Sequence, residues 1–139
     1  MDKKSTRQLG AAAETAVCRW LEKHGYRIVA QNVYVGRAEI DIIVEDGEYL
    51  VFVEVKSRAV AAYNEKYGRP SASIGIRKQQ LLLAAANEYL RANPTSLQPR
   101  MDIVEVLTEV RDGREVYDIR HYTNAIHAKR RHNDDYTSG

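Results

Sequence analysis

Apolar and polar positions alternate with two different periods along the chain. Leu9, Ala13, Ala16, Val17, Trp20 and Leu21 recur at three- and four-residue intervals, which marks one face of an amphipathic helix. Ser5 or Thr6 is its expected N-cap, and Gly25, just after His24, its stop. Tyr26 to Val35 turns to β-branched and aromatic residues and predicts a strand, closed by Gly36-Arg37. Two more strands follow, Ala38–Glu45 and Glu48–Lys56, around Asp46-Gly47, a dipeptide favoured in two-residue hairpin loops. From Arg58 to Ser73 no period is visible, and Gly68 and Pro70 interrupt the run, so a long loop is expected. Helical spacing resumes from about Ser73 to Ala92 and ends before Asn93-Pro94. Strands over about Arg100–Val110 and Glu115–Tyr122 then flank a second Asp-Gly pair, Asp112-Gly113. The order is helix, three strands, helix, two strands: an α/β fold with a mixed β-sheet and flanking helices. Residues 1–128 form one domain in this reading, and 129–139 a polar basic tail.

Composition narrows the picture. A chain of 139 residues suits one hydrophobic core, and 44% hydrophobic with 29% charged residues marks a globular chain. The one cysteine, Cys18, rules out an intrachain disulfide and fits a reducing compartment. No apolar run reaches membrane-spanning length, so a cytoplasmic location without membrane partners is expected. There is no Gly-rich phosphate loop and no dinucleotide fingerprint. The histidines His24, His121, His127 and His132 lack zinc-ligand spacing. A net charge of +2, from 21 basic and 19 acidic residues, does not by itself mark a nucleic-acid binder. The basic residues do cluster, at Lys3, Lys4 and Arg7, at Arg58, Lys66, Arg69, Arg77 and Lys78, and at Lys129, Arg130 and Arg131. A phosphate-facing surface and ordinary solvated charge both account for that clustering. Tyr63 and Tyr67, in the expected loop, could stack on an unpaired base.

The chemistry concentrates in the first hairpin. With Asp46-Gly47 as a two-residue loop, Glu45 faces Glu48, Asp41 faces Phe52 and Glu39 faces Glu54. Opposed and alternate residues share a face, so Glu39, Asp41, Glu54 and Lys56 project from one side of the sheet. Asp41 and Glu54 become diagonal neighbours, about 7–8 Å apart at the backbone. Two carboxylates at that spacing could share one divalent cation; alternatively, Lys56 could form a plain buried ion pair with either of them. Glu14 lies at the edge of the first helix's apolar stripe, where a surface glutamate is the simpler interpretation, and Gly10 with Ala11 to Ala13 would permit close packing beside it.

Several stretches resemble a known family: Gly10-x(3)-Glu14, Gly25-Tyr26, Ala38-Glu-Ile-Asp-Ile-Ile, Val51-Phe-Val-Glu-Val-Lys-Ser-Arg, Lys78 with Tyr89-Leu90, and Arg100-Met-Asp102. They resemble the YraN-like family of small bacterial proteins, which looks like a branch of the PD-(D/E)xK nuclease superfamily and is similar to archaeal Holliday-junction resolvases. The resemblance implies a restriction-endonuclease-like αβββαβ core and a Mg²⁺-dependent DNA endonuclease, with Mn²⁺ as a substitute ion. It implies Glu14, Asp41, Glu54 and Lys56 as catalytic residues, with the metal held by Asp41, Glu54 and the backbone carbonyl of Val55. Glu39 is an accessory candidate from its register, and Arg58, Lys66, Arg69, Arg77 and Lys78 are candidate DNA contacts. Branched or single-stranded DNA, a role in repair or recombination, and a homodimer follow as expectations. The competing function is a nucleic-acid- or partner-binding module that keeps the fold without cleavage. Ala13 and Ala38 stand where the family commonly has glycine, which leaves the charged residues intact.

Overall fold

The computed structural model of the chain describes residues 6–59 and 74–128. The elements are α1 (Thr6–Lys23), β1 (Arg27–Val35), β2 (Ala38–Glu45), β3 (Tyr49–Ala59), α2 (Ile76–Ala92), β4 (Gln98–Arg111) and β5 (Arg114–Tyr122). The expected α/β fold and element order are observed, with β5 added to an αβββαβ core. All five strands form one sheet in the order β1-β2-β3-β4-β5. The pairs are antiparallel except β3–β4, which is parallel because α2 carries the chain back across the sheet between them.

One helix covers each face. Ala13, Val17, Cys18 and Leu21 of α1 pack on Ile42, Val44, Val51, Val53, Val104 and Val106. On the opposite face Leu82, Ala85 and Ala86 of α2 meet Ile40, Ile43, Leu50, Phe52, Met101 and Ile103. β2 and β3 contribute to both cores because they are central strands; hence their near-continuous apolar runs. The end of α1 falls where glycine allows it. Gly25 adopts φ +91°, and Tyr26 N–H donates to Leu21 O (3.1 Å) while Gly25 N–H donates to Glu22 O (3.2 Å), closing the last turn.

Four expectations are corrected. The first hairpin turns on Gly47-Glu48, not Asp46-Gly47: Glu45 pairs with Leu50, and Asp46 N–H donates to Tyr49 O at 3.3 Å. The Asp46 carboxylate accepts the N–H groups of Glu48 (2.9 Å) and Tyr49 (2.7 Å), so Asp46 flanks the turn and Gly47, at φ +94°, takes its first central position. The register therefore moves by two residues from the expected one. β3 also outruns its expected end at Lys56, pairing with β4 as far as Ala59↔Thr108. β4 begins earlier than expected, at Gln98, where Pro99 is tolerated near the strand start. α2 begins at Ile76 behind Gly75, whereas Ser73 lies outside the described residues. The second hairpin is as expected: Asp112 and Gly113 sit at φ 51° and 75° between Arg111 and Arg114.

Candidate active site

The β2–β3 ladder is short. It runs from Glu45↔Leu50 to Ile42↔Val53, while β2 stays paired with β1 to Ala38 and β3 stays paired with β4 to Ala59. Past Ile42 and Val53 the two central strands part, and the first residues beyond the last rung are Asp41 and Glu54. They are thus direct neighbours across the gap rather than the diagonal pair expected from sequence. Parting frees backbone groups that a continuous ladder would satisfy, and Asp41 answers one of them: its Oδ2 accepts the Val55 N–H at 2.8 Å.

A cleft of about 420 Å³ opens at this point. Glu14, Glu39, Asp41, Glu54, Val55 and Lys78 are among the residues lining it. Glu14 arrives from α1, whose close approach falls at Ala13, 1% exposed. The close packing that Gly10 would permit does not depend on glycine, since a Cβ built there meets nothing within 4 Å. A second hollow, of about 550 Å³, continues past Glu14 and Glu39 toward Asn32 and Tyr34.

Electrostatics set this cluster apart from a surface patch. Glu54 is 6% exposed, and the Asp41 carboxyl lies within hydrogen-bonding reach of it. Burial first, then the bond to Glu54 and its charge, push Asp41 up to about 8, against the opposing Val55 N–H. Burial and the charges of Glu39 and Glu54 raise Glu14 as well. An ammonium balances part of this: Lys78 Nζ stands 2.8 Å from Glu54 Oε2, and that contact holds Lys78 above its ordinary range.

The remaining candidates are placed differently. Lys56 shares the Glu54 face of β3 but is not among the residues lining the cleft; its register partner is the buried Glu105. Arg58, with a side chain only 10% exposed, lies 3.6 Å from Glu105 Oε2, so its charge is directed inward rather than toward a phosphate. Arg77 is exposed beside Lys78, and Lys66, Arg69, Tyr63 and Tyr67 lie outside the described residues. Two residues were not singled out from sequence. Glu105 carries no motif that would reveal it. Asn32, at φ +52°, stands opposite Asp41 in the gap between Gln31↔Ile42 and Val33↔Ile40. Turned so that its nitrogen faces the two carboxylates, which can only accept, its amide donates to Glu14 Oε1 and to Glu39 Oε1, each at 2.9 Å.

Asp41 and Glu54 have the donor chemistry a divalent cation takes. Two apposed carboxyl groups are a donor pair for a hard ion, although Lys78 already pairs with one of them. Among the described residues no group of three or more His, Cys, Asp and Glu side chains is closed enough to hold an ion unaided, so the candidate is a two-carboxylate site.

The family model described as uncharacterised protein family UPF0102 matches residues 13–106. Relatives named UPF0102 protein are 35% identical in Carboxydothermus hydrogenoformans, over 86% of this chain and 96% of that one, and 40% identical in Pelotomaculum thermopropionicum, over 85% and 94%. The chain belongs to UPF0102, the YraN family. A solved structure, Pyrococcus furiosus SfsA in complex with Ca²⁺, matches with a TM-score of 0.41 at 18% identity, covering 81% of this chain and 62% of that one. No helix among the described residues is long and apolar enough to cross a membrane.

Proposed function

We propose that this chain is a divalent-cation-dependent DNA endonuclease of the PD-(D/E)xK kind, hydrolysing phosphodiesters in branched or single-stranded DNA. The observation that carries this reading is the Asp41–Glu54 pair, apposed where two strands part, with burial first and then Glu54 pushing Asp41 up to about 8. Like charges in a buried site are tolerated only where a proton or cation stands between them, and a fold retains such strain for a purpose.

Asp41 and Glu54 would hold Mg²⁺ or Mn²⁺, with the Val55 carbonyl as a further oxygen donor. Held there, such an ion would supply Lewis acidity toward a phosphate oxygen and toward a water. Glu14, across the cleft from α1, orients the water by accepting its hydrogen bond, and Glu39 supports Glu14 through the shared Asn32 amide. Lys56 supplies a fixed positive charge for the phosphate two residues past Glu54. Arg77 and Lys78 flank the cleft as backbone contacts, which favours recognition by DNA shape over base sequence. Cutting both strands of a branch needs two such sites, hence a homodimer.

A second reading, binding without cleavage, is favoured by one observation: Lys56 is not among the residues lining the cleft. The same experiment separates the two. Purified protein is incubated with branched, flapped, single-stranded and duplex DNA, with Mg²⁺, with Mn²⁺ or with chelator. Ion-dependent cleavage is expected, lost by about two orders of magnitude or more in Lys56→Ala with DNA binding retained. Binding without cleavage of any substrate would leave the second reading; undiminished cleavage by Lys56→Ala would remove Lys56 from the mechanism.

A further inference from the structure

Glu54 is buried, and a buried carboxyl group must be paired, protonated or ligated. On the same face of β3, Lys56 is the nearest basic residue in sequence, yet the ammonium at hydrogen-bonding distance comes from α2: Lys78, 2.8 Å from Glu54 Oε2. Lys78 is 57% exposed. Its long stem can swing the charged tip into water without disturbing packing. It lies in the first turn of α2, next to the exposed Arg77, at the mouth of the cleft.

We propose that Lys78 is the resident counter-cation of the Asp41–Glu54 pair, which a divalent ion must displace, and that displacement releases Lys78 toward a phosphate. This rests on the reading of that pair as a cation site. An ion held by Asp41 and Glu54 would share Glu54 with the ammonium, and two cations close together on one buried carboxylate repel. Ion and ammonium therefore compete. Lys78 keeps the empty pair from being an unpaired buried charge, and it becomes free for a phosphate only once the ion has taken its place. Cation and phosphate binding are thereby coupled, each strengthening the other by the same factor. Lys78 then has a different role from that of a passive DNA contact, and removing it changes ion affinity in the opposite direction from removing a ligand.

Calorimetric titration of MnCl₂ into the full chain tests this, comparing wild type with Lys78→Met, Lys78→Arg and Asp41→Asn. Lys78→Met is expected to bind Mn²⁺ about tenfold tighter, because the charged hydrogen bond that the ion must break is gone. Lys78→Arg should stay within about threefold of wild type, and Asp41→Asn should lose binding. Without added ion, Lys78→Met should melt below wild type, and saturating Mn²⁺ should stabilise it more than it does wild type. Mn²⁺ affinity in Lys78→Met equal to or weaker than wild type, with Asp41→Asn still deficient, overturns the counter-cation role and spares the cation site. If Asp41→Asn binds as wild type does, the cation-site reading fails and this inference with it.

Discussion

Asn32 shows how much one side chain can contribute to the position of two others. A backbone φ of +52° favours glycine, with asparagine second, so conformation alone gives no reason to carry a side chain there. The amide earns its place by donating to Glu14 from α1 and Glu39 from β2, which otherwise repel. Two substitutions separate backbone from amide. Asn32→Gly suits the backbone and removes both donors; Asn32→Asp also tolerates the backbone but adds a third negative charge. Both should fold, with midpoints in chemical denaturation close to wild type. If the amide positions the acids, Mn²⁺ affinity should fall about tenfold in Asn32→Gly and change in a different direction or degree in Asn32→Asp, where charge attracts the ion but positioning is lost. Equal Mn²⁺ isotherms for all three proteins would reduce Asn32 to a turn residue. Nothing in the sequence pointed to this position, because Asn within Gln31-Asn32-Val33 looks like an ordinary polar interruption of a strand.

At the scale of elements, the nearness of Asp41 to Glu54 was legible although the register was not. The actual turn moves the hairpin by two residues, which preserves side-chain parity along the ladder but replaces Glu39 with Asp41 at the position opposite Glu54. Alternation also breaks at Asp41, since Ile40 packs on the α2 face and Ile42 on the α1 face, so the expected common face for Glu39 is not kept. An error of one residue would have reversed the parity of the ladder. What sequence could not give was the parting of β2 from β3, because strand propensity continues through Asp41 and Glu54 without a break. Nor did it show why Gly25-Tyr26 and Arg100-Met-Asp102 go together. Arg100 binds the fully buried Asp102 through two 2.9 Å contacts and donates to Tyr26 OH at 2.9 Å; His121 Nε2 lies 2.7 Å from Asp102, and Asn124 N–H donates to it at 2.8 Å. β1's approach, β4 and the end of β5 are thus tied to one carboxylate. Burial pushes Asp102 up, but the bonds from His121, Arg100 and Asn124 outweigh it and hold the group below its usual range. A lowered value means stability that is present above the unfolded value and lost as pH falls through the folded one. Asp102→Ala should therefore cost about 3–5 kcal/mol in urea unfolding at neutral pH, since it strands Arg100. Arg100→Met with Asp102→Leu should cost clearly less than the single change; a single-variant cost below about 1 kcal/mol would show the network to be incidental.

The whole molecule divides its polar groups between two regions with opposite effects. Around Asp102 charges are matched and bonded, whereas the cleft at Asp41 is lined, among the described residues, by four acids against Arg37 and Lys78, and Asp41 is pushed up by burial and by Glu54. The pH response should reflect that contrast. Burial and Glu54 push folded Asp41 up to about 8, while the unfolded side chain releases its proton near the ordinary 3.8. Between those values the folded state binds more protons, so this group's contribution to stability falls as pH rises. Asp41→Asn removes the dependence. The variant's advantage over wild type should grow between pH 5 and pH 9 and reach at least about 1 kcal/mol, roughly 3–5 °C in Tm for a domain of this size. Mn²⁺ at pH 8.5 should close the gap by stabilising wild type alone, because an ion that binds only the folded state adds to its stability. A parallel pH course for the two proteins would mean that the pair carries no strain, and the main physical reason for placing a cation between β2 and β3 would be gone.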